Sequence, residues 1–128
     1  MSDQTLIKPK DPKTAIKSKV KFIVDEEKQV IVHCSIPCSP GDGVRIWRTT
    51  YLITDEKIKI PLIYWEGITL APNWTPLYHK GSYQFTLIFG GLPKSCKSFS
   101  LVEEIAQAGG FLVRGIKRNG TDVYRVTV

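Results

Sequence analysis

His33, Cys34, Cys38, His79 and Cys96 are the side chains of this sequence that bind borderline metals, and between them they hold the donors of a Cys₃His zinc site. Their spacing does not suit one. There is no Cys-x₂-Cys knuckle, and His33 and Cys34, adjacent in a segment of strand character, point to opposite faces. The residues therefore read as no metal site and no cofactor, with Cys34 a small core hydrophobe. Three cysteines cannot all pair in one chain, which fits reducing surroundings better than a disulfide framework; a Cys34–Cys38 or Cys34–Cys96 bridge is the minor alternative.

Acid–base catalysis needs two carboxylates, or a carboxylate and a histidine, around one pocket. Glu66 and Glu103 are the best-placed acids, because each ends an apolar strand-like run. At such positions an acid more commonly accepts hydrogen bonds from turn backbone. A phosphate loop needs glycines that open a helix, whereas Gly41-Asp42-Gly43 and Gly109-Gly110 both lead into strand-like sequence. No catalytic residue is assigned.

Trp47, Tyr51, Tyr64, Trp65, Trp74 and Tyr78 crowd into 32 residues. Aromatic faces beside polar groups stack on sugars, bases or peptide side chains. Trp74 lies between Pro72 and Pro76 and is the ring expected to be most exposed, so Trp74, Tyr78 and Trp65 are candidate binding residues. Arg45, Arg48, Arg114, Arg118 and Arg125 add a basic surface, although scattered arginines usually only solvate a sheet. Asn73-Trp74-Thr75 and Asn119-Gly120-Thr121 match the N-glycosylation pattern, and the second reads better as a hairpin turn.

The elements that must position these groups are strands. Val20, Phe22 and Val24 form one period-two row and Val30, Val32, Cys34 and Ile36 the next, and the pair reads as a β-hairpin. Val44–Thr54 has strand character after the turn at Ser39–Gly43. Ile58, Ile60, Leu62 and Tyr64 make a third row, and 71–81 reads as a long surface loop. Tyr83, Phe85, Leu87 and Phe89 supply the clearest core row. Phe99–Val102 runs into Glu103–Gln107, the only stretch with helical character. Phe111–Ile116 and Asp122–Val128 flank Arg118-Asn119-Gly120, a hairpin signal. This final strand has no later chain to cover it, which makes Tyr124 and Val126 candidate contacts for a partner strand or a second copy.

Short strands separated by turns predict an all-β, immunoglobulin-like β-sandwich of about seven to eight mostly antiparallel strands. At 128 residues with 42% hydrophobic content, the chain is long enough for one core. Residues 1–19 read as a flexible lysine-rich leader and 20–128 as the sandwich domain. Six lysines stand against Asp3 and Asp11 in residues 1–21, so four of the six net positive charges lie there. Their wide spacing argues against nucleic acid, since polyanion binding rests on clustered cations. No apolar run approaches the ~18–20 residues of a transmembrane helix, so the chain is expected to be soluble. Its start lacks a secretory signal pattern, which reads as cytoplasmic, or as exported if a signal has been removed.

The blocks Val44-Arg45-Ile46 with Thr50-Tyr51-Leu52, Glu66-Gly67-Ile68-Thr69-Leu70, Phe85-Thr86-Leu87-Ile88-Phe89 with Leu92-Pro93-Lys94, Lys97 to Glu103, and Phe111 to Ile116 stand in an order that resembles a family of small bacterial β-sandwich domains. Those domains are often exported, and some precede a thioredoxin-like domain. The resemblance implies an immunoglobulin-like sandwich with no assigned catalytic residues. Function is thus expected to be non-enzymatic binding of a protein partner through a sheet edge or the aromatic loops. A glycan- or anion-binding module built on the cluster around Trp74 is the alternative, and a small hydrolase or redox accessory protein is a further one.

Overall fold

Period-two patterning sets nine strands within residues 28–128, the part of the chain that the computed structural model describes. They are β1 (Val30–Cys38), β2 (Gly43–Val44), β3 (Thr50–Thr54), β4 (Lys59–Glu66), β5 (Thr75–Pro76), β6 (Gly81–Phe89), β7 (Ser98–Glu103), β8 (Leu112–Lys117) and β9 (Val123–Thr127). Seven form one mixed sheet in the order β9-β1-β6-β4-β3-β7-β8, and β2 pairs with β5 in a two-stranded ribbon. No helix occurs among the described residues, so the chain is all-β there. The expected helical turn at Glu103–Gln107 is the end of β7 followed by bends.

The two strongest apolar rows face each other residue by residue. Val30 pairs with Phe89, Val32 with Leu87, Cys34 with Phe85 and Ile36 with Tyr83. The first three pairs are buried, and Ile36 and Tyr83 pack against them at the end of the core. The row in β4 departs from the sequence pattern. A bulge between Leu62 and Tyr64 shifts the register, so Ile60 and Leu62 face the core, Ile63 and Tyr64 turn outward, and Trp65 takes the next inner place. One extra residue is enough to reverse every later side chain.

The sheet is rolled. Its margins, β9 and β8, are joined by Arg118–Asp122, a link that reaches at most about 20 Å. Phe99 of β7 meets Tyr124 of β9 edge-on at 4.9 Å between centroids, and Phe85 of β6 stacks near Phe111 at 6.1 Å. Rings from strands far apart in the sheet thus fill a single interior.

The hairpin expected around Asn119-Gly120 does not form: β8 pairs with β7, and β9 pairs in parallel with β1. Asn119 spends its side chain on a local turn instead. Its Oδ1 accepts from Thr121 N (3.0 Å) and Asp122 N (2.7 Å), and its Nδ2 donates to Val123 O (2.9 Å). Such an Asx turn competes with the hairpin that the same residues favour elsewhere. Arg118 then anchors the link. Its guanidinium donates to both Asp122 oxygens (3.2 and 3.1 Å) and to the carbonyls of Leu92, Pro93 and Cys96. Tyr124 Oη donates to Asp122 Oδ1 at 2.8 Å and accepts from Asn119 N. Burial pushes the Tyr124 hydroxyl up to about 12, with the Asp122 carboxylate adding to the effect.

The other expected hairpin partner, the row Val20, Phe22 and Val24, lies outside the described residues, as does the leader at 1–19. β1 is paired on both sides, with β9 and β6. The stretch expected as one strand from Val44 to Thr54 is broken by a turn in which Thr50 N and Oγ1 both donate to Trp47 O. The expected loop at 71–81 contains β5 and the buried Leu77, which is fixed by bonds to Gly41 and Asp42.

Two outcomes follow from the link and its strand. Arg118→Lys keeps the charge but loses the planar fork, and is expected to cost more than about 2 kcal/mol in denaturant melts; a loss under about 0.5 kcal/mol, typical of an exposed site, would show that the fork is not the anchor. In β9, the bonds Ile31 N to Asp122 O and Val128 N to Ser35 O set the phase of the parallel ladder, so Tyr124 and Val126 bond to β1 while Arg125 and Thr127 turn their backbone outward. Val126→Pro is therefore expected to lower the melting temperature sharply and Thr127→Pro to leave it nearly unchanged.

Candidate functional site

Glu103 is the last residue of β7, and its side chain is buried, with 7% of its surface exposed. Its Oε2 accepts from Trp47 N at 3.1 Å and its Oε1 from Phe111 N at 3.4 Å, while Thr50 Oγ1, whose proton is on Trp47 O, stands 3.5 Å from Oε2. One carboxylate thus ties the turn before β3 to the approach of β8. Gly110 makes this approach possible, since a Cβ there would stand 2.6 Å from the Glu103 carbonyl oxygen. Burial raises the Glu103 pKa above the usual 4.5; the Trp47 and Phe111 N–H groups, the Thr50 hydroxyl and the Arg45 charge pull the other way.

Arg45 follows β2 and stands beside this carboxylate. Its guanidinium lies 3.9 Å from the Trp74 ring centroid and 5.1 Å from that of Trp47, well within cation–π range. Nη1 donates to Pro72 O at 3.1 Å. The β2–β5 ribbon creates this arrangement, because the register Val44 to Thr75 sets Arg45 across from Trp74. The Trp74 ring also occupies the space over Gly43, where a Cβ would come within 3.2 Å of it. Between these groups runs an open groove of about 260 Å³, lined by Ile36, Arg45, Trp47, Trp74, Glu103 and Phe111 among others.

The five candidate residues from the sequence are not brought together. Trp74 is at the rim of the groove and 57% exposed. Tyr78 is 80% exposed and stands outside it. Trp65 is half-buried in β4, beneath the Arg48 guanidinium at 5.1 Å. Tyr124 is buried against Phe99 with its hydroxyl on Asp122. Val126 is half-buried and borders a second, shallow depression with His33 and Arg125. The groove instead joins Trp74 to Arg45, Trp47 and Glu103. The spacing of Arg45 and Trp47, two apart in an extended segment, was the available signal, because such residues share a face.

The cysteines are free and buried. Burial pushes the Cys34 thiol up to about 12, which disfavours the reactive thiolate. Cys38 Sγ stands 4.0 Å from His79 Nε2. Among the described residues no three histidine, cysteine or acidic side chains are grouped as metal ligands. Glu66 is exposed and lies apart from Glu103 in β4.

Because the folded state raises the Glu103 pKa, it binds a proton more tightly than the unfolded chain, and stability falls as pH rises from 4.5 through the raised value. Melting temperatures across mildly acidic pH should show this decline in the native protein and lose it in Glu103→Gln. An equal slope in both proteins would assign the decline to other groups. No protein-family model, curated protein or solved structure matches the chain, and the family resemblance therefore stands on its five sequence blocks alone.

Proposed function

We propose that this chain is a non-enzymatic interaction module that binds a protein partner at the groove beside Trp74. On this reading it is an immunoglobulin-like sandwich of the small bacterial family that its sequence blocks resemble. The observation that carries the proposal is a large exposed ring, Trp74, fixed at the rim of a groove that also presents Trp47 and Arg45. Tryptophan and arginine in desolvated pockets dominate protein-binding energetics. At about 260 Å³ the groove falls below the roughly 300–1,000 Å³ of sites that enclose small molecules. A side chain of a partner, with its neighbours lying outside, suits such an opening better than an enclosed ligand.

The sheet margin supports a second route to association. β9 bonds to β1 on one side only among the described residues, and Arg125 and Thr127 offer backbone groups outward. A partner strand or a second copy adds to such an edge through main-chain hydrogen bonds.

Panning a displayed random-peptide library on the immobilised protein tests the groove. Enriched peptides are expected to lose at least about tenfold in affinity for Trp74→Ala, with the melting temperature of that variant unchanged. Peptides that bind Trp74→Ala as well as the native protein would remove the groove from consideration, and loss of their binding to a variant blocked at β9 would favour the edge.

A further inference from the structure

We infer that the groove recognises a carboxylate of the partner through the Arg45 fork, an inference that rests on the groove being the partner site. Arginine carries five N–H donors in a rigid plane. Arg118 shows what a purely structural arginine does with them, since each of its donors has a protein acceptor: two on Asp122 and three on the carbonyls of Leu92, Pro93 and Cys96. Arg45 has one, on Pro72 O. Four donors thus have no acceptor among the described residues, although the side chain is half-buried and its plane is held against Trp47 and Trp74.

Leaving donors of a half-buried arginine without acceptors costs free energy, unless water or a ligand supplies them. Within the groove, Glu103 does not. Both of its oxygens are turned onto backbone donors, Oε2 onto Trp47 N and Oε1 onto Phe111 N. A planar oxyanion matches the guanidinium fork with two parallel hydrogen bonds. The rings decide against sugar stacking as the principal mode. Trp74 already has Arg45 stacked at 3.9 Å, so the face toward Arg45 is closed to a sugar ring, and the exposed remainder of the indole forms a wall. An acidic side chain or a C-terminal carboxylate enters between that wall and Phe111, placing its oxygens on Arg45.

Three probes separate these possibilities: N-acetyl-aspartate N′-methylamide, its asparagine counterpart, and N-acetylglycine as a C-terminal mimic. The readout is the indole N–H resonances of the three tryptophans, assigned by single Trp→Phe variants. At least one acid probe is expected to shift the Trp47 and Trp74 signals saturably while Trp65 stays in place, and to bind at least about tenfold more tightly than the asparagine probe. The tighter of the two acids identifies the source of the carboxylate. Arg45→Lys, with an unchanged melting temperature, keeps the charge without the fork and should lose most of that preference. Equal binding of acid and amide, or an undiminished acid preference in Arg45→Lys, would overturn the inference. In that event, library peptides still dependent on Trp74 would leave the module reading standing, whereas peptides indifferent to Trp74 would end both.

Discussion

The roll of the sheet depends on how Arg118, Asp122 and Tyr124 are used at one link. Arg118 ties the Leu92–Cys96 segment to Asp122, and Asp122 in turn holds the hydroxyl of Tyr124. Without these bonds, the link would present a buried carboxylate and the unpaired carbonyls of Leu92 and Cys96, each of which is costly away from water. With them, β9 leaves the margin occupied by β8 and enters the opposite margin beside β1. The parallel register of β9 and the contact of Tyr124 with Phe99 both follow from this crossing. Tyr124 therefore belongs to the closure of the fold, with its polar end spent inside it.

Closure also builds the groove. Phe111 stacks on Phe85 in the shared interior, and Gly110 allows the backbone before β8 to press onto the end of β7. That approach delivers Phe111 N to the Glu103 carboxylate, whose other oxygen already holds the turn at Trp47. The two walls of the groove are thus fixed to each other by a buried acid. The ribbon of β2 and β5 adds the third wall by setting Trp74 opposite Arg45. Each contribution comes from a different part of the chain, between Gly43 and Phe111.

Local patterning made the rows of β1 and β6 legible, because a two-residue period needs no knowledge of the partner strand. Trp74 was legible for a similar reason, lying among prolines that keep it off the main sheet. Glu103 was legible as an acid at a strand end that caps turn backbone. The parallel partner of β9 was not, since pairing between Val123 and Ile31 leaves no local trace. Asn119-Gly120 serves a hairpin and an Asx turn equally well, and only the demand of Arg118 for the 92–96 carbonyls selects the second. The bulge at Ile63 escaped because its residues continue an apolar pattern on either face. Arg45 looked like one of several scattered arginines, and nothing in sequence marks which arginine finds acceptors.

Arg45 and Arg118 show why acceptor use separates two kinds of half-buried arginine. Both are bounded by aromatic or apolar groups, both lie near a carboxylate, and both carry the same five donors. Arg118 meets its carboxylate directly, through two oxygens of Asp122, and is complete. Arg45 stands near a carboxylate whose oxygens each already accept from a backbone N–H, of Trp47 and of Phe111, so proximity there supplies charge without hydrogen bonds. Glu103 thereby keeps Arg45 within the groove while leaving its fork open. A site of this design favours a ligand that brings its own oxygens, and it disfavours a cationic one, which would face the guanidinium.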